Sequence, residues 1–169
     1  IGLESGSQRM IDWMKKDIKI PQVYESAQKC LKHGIAINFS VIIGFPGETE
    51  ADMDETIRVV TDLRKMSPEF RVSIFYFKPY PGNEIADALI ADGYKMPQGI
   101  KEWSDFDYVV KGSPWIPEKK FKEIENFKWR FHNYPINQMD GLHNDVPSFL
   151  INFHRIDSEK DALSYISRL

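Results

Sequence analysis

Cysteine is nearly absent from this chain: there is one, Cys30, in 169 residues. A single thiol excludes an internal disulfide. It also excludes an iron–sulfur cluster held by this chain alone, since such clusters take three or four thiolates. Long hydrophobic runs are missing as well. No stretch approaches the roughly 20 apolar residues that cross a bilayer, and the opening residues show no basic segment running into an apolar one, the pattern of a secretory leader. Charge of one sign is scarce too. Lys and Arg number 22 against 25 Asp and Glu, for a net charge of −3. The two signs are interspersed without a basic block, so nucleic-acid binding is not indicated. Neither a nucleophile elbow, a Walker loop nor a dinucleotide fingerprint occurs, and there is no internal repeat or low-complexity tract. What remains is a composition ordinary for a soluble globular protein, 42% apolar and 28% charged, for which a reducing, cytoplasmic location is expected.

What is present is a recurring strand end, glycine-bearing turn and helix. It occurs at Gly2-Leu3-Glu4-Ser5-Gly6-Ser7, at Ile43-Gly44-Phe45-Pro46-Gly47-Glu48-Thr49 and at Phe77-Lys78-Pro79-Tyr80-Pro81-Gly82. Three in succession predict a parallel α/β sheet, whose ligands collect at the carboxyl ends of the strands. The first motif begins at residue 2, with no room for a strand of normal length before it, so the chain is expected to start inside a domain. Ser7 can cap a short helix to about residue 15. Pro21 suits the first turn of a second helix, which carries Val23, Ala27, Cys30 and Leu31 at 3.6-residue spacing and stops at Gly34. Residues 35–43 read as a strand covered on both faces. Thr49 and Asp52 resemble a capping box before a helix with Met53, Ile57, Val60 and Leu63 on its buried stripe. Residues 71–77 are the third strand. Asn83 can cap a helix that ends at Gly93. Residues 94–117 read as an irregular aromatic segment with a short strand at 106–110. Residues 118–133 and 158–169 read as helices.

Several side chains have two readings at this stage. Glu4 and Ser5 sit at a strand end, where they could bind a ribose or an α-amino group; they could equally be a turn acid beside a helix cap. Gly44 permits close approach of a planar ligand. Glu48 is either a favourable charge at a helix N-terminus or a catalytic acid. Pro79 and Pro81 fix an extended strand exit that leaves the carbonyls of Phe77 and Lys78 free to meet a ligand edge, or they only make a turn. Cys30 reads as a core residue, and Lys15, Lys16 and Lys19 as a solvated face. His132, His143 and His154, with Asp140 nearby, lack the spacing of metal ligands.

In this order and spacing, the three turns resemble the later half of a radical SAM domain, over residues 1 to about 93. Gly2-Leu3-Glu4-Ser5-Gly6-Ser7, followed by Met10 and Lys16, looks like that family's fourth-strand motif. Gly44-Phe45-Pro46-Gly47-Glu48-Thr49 looks like its fifth-strand motif, and Pro79-Tyr80-Pro81-Gly82 like its sixth-strand exit, with Asn83 where threonine is usual. The closest similarity is to the subgroup that includes cobalamin-binding enzymes and the anaerobic magnesium-protoporphyrin IX monomethyl ester cyclase. The resemblance implies an incomplete (β/α) barrel: three parallel units, strands four to six, over residues 1–93, then a wrapping segment (94–117) and a mostly helical extension (118–169). It implies a parent enzyme that reductively cleaves S-adenosylmethionine with a [4Fe–4S] cluster, in oxidoreductase, cyclase or methyltransferase chemistry on a small-molecule substrate, with cobalamin as a further cofactor of that parent. By resemblance, Glu4 and Ser5 contact the methionyl and ribose parts of the cofactor, Ile43 and Gly44 pack on its adenine, and the backbone at Phe77 and Lys78 reads the adenine edge. The family's Cys-x-x-x-Cys-x-x-Cys motif is not in this sequence. The chain alone is therefore expected to be inactive and to bind the cofactor weakly or not at all. Its open sheet edge, facing the missing first half of the barrel, is expected to be covered by dimerisation or by its own tail. Two other readings stay open: another (β/α) barrel enzyme using Glu4 and Glu48 as acid and base, marked by a strongly perturbed carboxyl at either, and a non-catalytic α/β interaction module.

Overall fold

The computed structural model of the chain describes residues 1–104, 106 and 113–133. Strands β1 (Gly2–Glu4), β2 (Asn38–Ile43) and β3 (Arg71–Tyr76) form one parallel sheet in sequence order. Helices α1 (Gln8–Trp13) and α2 (Ile20–Lys32) connect β1 to β2, α3 (Glu50–Met66) connects β2 to β3, and α4 (Glu84–Ala91) follows β3. This is the α/β architecture expected from the three turns, consistent with part of a (β/α) barrel. β2 and β3 run in unbroken register from Asn38 opposite Arg71 to Ile43 opposite Tyr76. Because side chains alternate along a strand, that register puts Phe39, Val41, Ile43, Val72, Ile74 and Tyr76 on one face, and all six are buried. α3 packs against both strands and α2 packs against α3, supplying Val23, Ala27, Met53, Val59, Val60 and Leu63 to the core. Phe39 meets Phe70 edge to face, ring centres 5.8 Å apart.

The opposite face carries Asn38, Ser40, Ile42, Arg71, Ser73 and Phe75, which are exposed or half-buried. The expectation of a doubly covered β2 thus holds for one face only. The alternation was concealed because Ile42 and Phe75 are apolar although they lie on the less covered side.

Local chemistry sets the element ends. Pro21 lies in the first turn of α2, and the chain leaves that helix through Gly34 at φ +67. The Thr49 hydroxyl accepts from the Asp52 amide while the Asp52 carboxylate accepts from the Thr49 amide, the capping box of α3. Asn83 Oδ1 accepts from the Ala86 amide at 2.9 Å and starts α4. Ser7 stands at the N-cap position of α1 but makes no cap bond; its hydroxyl donates to Asp52. The described part of 94–117 includes a short helix, α5 (Ile100–Ser104). Apart from Phe106, the expected strand at 106–110 lies outside the described residues, as do the expected helix at 158–169 and Asp140, His143 and His154.

Contacts divide the chain into two units, Ile1–Pro117 and Glu118–Leu169. The described part of the second is α6 (Glu118–Asn133). Lys122 pairs with Glu118 at 2.7 Å one turn apart, and Phe127 and Phe131 meet with ring centres 5.1 Å apart. Among the described residues no helix is long and apolar enough to cross a membrane.

Candidate functional site

Parallel pairing brings the carboxyl ends of all three strands to one edge of the sheet, and the candidate residues sit along that rim. Glu4 ends β1 in the left-handed region at φ +65, a conformation that costs a non-glycine residue about 1 kcal/mol or more and is common at functional sites. The Ser5 amide folds back onto the Leu3 carbonyl at 2.9 Å. The Glu4 carboxylate accepts from Lys16 Nζ at 2.6 Å, and each side chain retains about a quarter of its exposure, 26% and 29%. Lys15 and Asp17, on either side of Lys16, also have positive φ, 56 and 49. The chain after α1 is therefore bent so that Lys16 returns to β1. Of the three lysines read as a solvated face, Lys16 belongs to the rim instead.

Ser5 turns the other way. It is fully buried, its hydroxyl lies 3.1 Å from Thr56 Oγ1 on α3, and it accepts from the Ser7 amide at 3.1 Å. The Gly6 amide donates to the same Thr56 hydroxyl at 2.9 Å. A Cβ on Gly6 would lie 2.6 Å from Thr56 Cα and 2.8 Å from the Glu55 carbonyl oxygen, so this glycine lets the β1 turn rest directly on the backbone of α3.

The second rim loop follows β2. Glu48 is buried, and its Oε2 accepts from the amides of Gly44 and Phe45. Its Oε1 is also buried and has no hydrogen-bond partner. Burial pushes the Glu48 carboxyl up to about 7, with the nearby Asp52 charge adding to the rise and the two amides and Arg9 opposing it. Asp52 goes the other way. The Arg9 guanidinium, Ser7 Oγ at 2.6 Å and the Thr49 hydroxyl and amide all donate to it and hold it well below the usual carboxylate range. Arg9 also donates to the Gly47 carbonyl at 3.0 Å, so one guanidinium joins α1, α3 and the loop between β2 and α3. Sequence reasoning missed Arg9, Thr56 and the second task of Asp52. A signal for Arg9 was available: it lies in the first turn of α1, where the helix dipole disfavours a cation that has no acidic partner.

At the third strand the Phe77 amide donates to the Ile43 carbonyl at 2.9 Å, extending the ladder past β3. Phe77 packs on Phe45, ring centres 4.6 Å apart, and on Trp115 at 5.6 Å. Met10 joins this buried cluster, and Met14, Ile42, Ile85 and Leu89 surround it. Lys78 Nζ lies 5.8 Å from the centre of the Phe106 ring. Tyr80 is half exposed and stacks on Trp103 at 6.4 Å. Ile43 is fully buried on the helix-covered face, so a ligand at this position meets its backbone. Gly44 has φ +90, and the space it leaves is filled by Ser113 and Ile116 of the same chain. Cys30 is half-buried on α2. Among the described residues no group of three His, Cys, Asp or Glu side chains is placed to hold a metal ion.

No family model matches the chain. It is 28% identical over 134 residues to an uncharacterized methyltransferase of Pyrococcus horikoshii, a match that takes in 79% of this chain and 28% of that protein. It is 33% identical over 125 residues to a tRNA-2-methylthio-N(6)-dimethylallyladenosine synthase of Bifidobacterium adolescentis, covering 73% of this chain and 24% of the relative. The same enzyme of Pseudomonas savastanoi is 36% identical over 88 residues, half of this chain and 19% of the relative. The chain thus spans no more than about a quarter to a third of the curated relatives it matches. These relatives are enzymes, and the similarity supports the resemblance to the radical SAM superfamily.

Proposed function

We propose that this chain is the strand-four-to-six part of a cytoplasmic radical SAM enzyme and supplies one wall of its S-adenosylmethionine site. The observation that carries the reading is the shared rim: parallel pairing puts Glu4, the Ile43–Gly44 turn and the Phe77–Lys78 exit at one edge of the sheet. Glu4 offers a half-buried carboxylate on a strained backbone, suited to an ammonium or hydroxyl of the cofactor. Its partner Lys16 holds it in place and has to yield or rearrange as the ligand arrives. Ser5 acts from behind the rim, fixing the turn through Thr56. Ile43 and Gly44 present backbone to the adenine, and Phe77 and Lys78 present carbonyls to its edge. When bound, S-adenosylmethionine supplies a deoxyadenosyl radical on receipt of one electron.

The residues present do not fit a [4Fe–4S] cluster, because one half-buried helical thiol is far short of the required set. The electron donor therefore belongs to the parent protein, as does any cobalamin. The names of the relatives favour transfer of a methyl or methylthio group over the cyclase branch. The dispersed charge and net −3 favour a small-molecule substrate over a nucleic acid.

Glu48 supports a second reading, since a buried carboxyl raised to about 7 is what an acid–base residue requires. Its geometry argues for a structural role: one oxygen is committed to two backbone amides and the other is enclosed. Assay of the parent enzyme, reconstituted anaerobically, separates the two. Glu4→Ala is expected to raise the KM for S-adenosylmethionine about tenfold or more, the scale of one charge-assisted hydrogen bond, while Glu48→Gln leaves the cleavage step intact. Unchanged cofactor affinity in Glu4→Ala rejects the rim reading. Loss of chemistry in Glu48→Gln with binding retained establishes the acid–base reading.

A further inference from the structure

Gly44 is held on three sides. Its amide donates to Glu48 Oε2, and its carbonyl accepts from Ser113 Oγ at 2.6 Å. Its α-carbon faces the same segment: a Cβ built on it would lie 2.6 Å from both Ser113 Cβ and Ile116 Cδ1. Ser113 is 69 positions away in sequence and only 5% exposed. Its segment is itself fixed. The Ile116 amide closes a turn on the Ser113 carbonyl at 3.1 Å, and Trp115 stacks on Tyr94 at 5.7 Å and packs at a tilt against Phe77 at 5.6 Å.

We propose that Ser113 is a positioning residue of the rim, setting the β2 exit turn through its hydrogen bond to the Gly44 carbonyl. A buried carbonyl demands a partner, and residues near Gly44 in sequence supply the clamp on its amide but not the one on its carbonyl. The segment that reads as plain wrapping is thus a component of the site. There is a consequence for recognition. With its carbonyl bonded to Ser113, one of that oxygen's two acceptor positions is already filled when a ligand arrives. That a cofactor lies there rests on the function proposed above; that Ser113 holds Gly44 does not.

Amide hydrogen exchange on the 169-residue chain tests this, with Ser113→Ala and the hydroxyl-retaining Ser113→Thr compared with the parent sequence. Ser113→Ala is expected to speed exchange at the Gly44 and Phe45 amides about tenfold, the scale of one lost buried hydrogen bond. Ser113→Thr stays close to the parent chain, and the Ile74 and Phe75 amides of β3 are unchanged in both. As water reaches the turn, the Glu48 carboxyl in Ser113→Ala titrates lower than in the parent chain, followed by NMR. Unchanged exchange in Ser113→Ala overturns the proposal. So does a Ser113→Thr chain as loose as Ser113→Ala, an equal rise in β3, or failure of Ser113→Ala to fold, since each makes the role nonspecific. Faster exchange in Ser113→Ala that threonine reverses, together with a parent enzyme indifferent to Glu4→Ala, would keep the positioning role and reject the cofactor reading.

Discussion

Glu48 and Asp52 lie four residues apart, and their surroundings drive them in opposite directions. Asp52 gains donors on folding, so its contribution to stability is present above the ordinary aspartate range and is lost only as the pH falls through its depressed folded value. Glu48 loses water on folding and gains only two amides. Its folded value of about 7, above the ordinary 4.5, means that the folded chain holds a proton the unfolded chain has released between those values. The Glu48 contribution is therefore fully present below about pH 4.5 and lost as the pH rises to about 7, a change of roughly 3 kcal/mol for a displacement of this size. Urea unfolding at pH 5 and pH 8 reads it: the parent chain should lose stability over that interval by an amount that Glu48→Gln does not. Equal pH dependence in the two chains would show that Glu48 titrates normally. The sequence showed that Glu48 adjoins a helix start. It did not show that the carboxylate folds back over its own turn, because that depends on burial supplied by distant segments.

Junctions between elements here rest on close backbone approaches or on side-chain caps. Gly6 is the clearest case, since the atoms a methyl group would strike are the backbone of α3 rather than yielding side-chain tips. Gly6→Ala is expected to cost about 1–3 kcal/mol, the usual range for overpacking, and to weaken the Ser5–Thr56 contact. Gly34→Ala has open space around its Cβ and bears only the strain of its φ of +67. Thermal unfolding of the two variants checks the order: a Gly6→Ala chain less affected than Gly34→Ala would mean that the β1 turn does not rest on α3 as described. At this scale the sequence was highly legible wherever a local rule decides the outcome. Pro21, the Thr49–Asp52 box, Asn83, Gly34 and Gly93 all mark real element ends. It was illegible where a side chain at a helix start turns to a distant partner. Ser7 looks like a cap, but its hydroxyl donates to Asp52 on α3 and accepts from no α1 amide.

At the scale of the whole molecule, the order and direction of the strands could be read from three turn motifs, since glycine and proline punctuate the chain at every strand exit. The candidate site was legible as a set of positions but not as a set of orientations. Glu4 faces Lys16, Ser5 faces Thr56, and Gly44 faces Ser113, and none of these partners lies within ten residues of its mate. The sheet's less covered face, with Ser40, Ile42, Ser73 and Phe75, is what an incomplete barrel would turn toward its missing strands. On the function proposed above, chemistry that needs a cluster does not start from this chain, because its single thiol, half-buried on α2, falls short of the required ligands. Incubating the purified 169-residue chain with ferrous iron and sulfide under anaerobic reducing conditions should therefore give no cluster absorbance. Added S-adenosylmethionine should yield no 5′-deoxyadenosine above the level without protein. The same assay on the parent enzyme is the positive control. Reductive cleavage by the chain alone would mean that the electron enters by a route independent of thiolate ligation, and would overturn the proposed division of labour in which this chain supplies binding groups and the rest of the barrel supplies the redox centre.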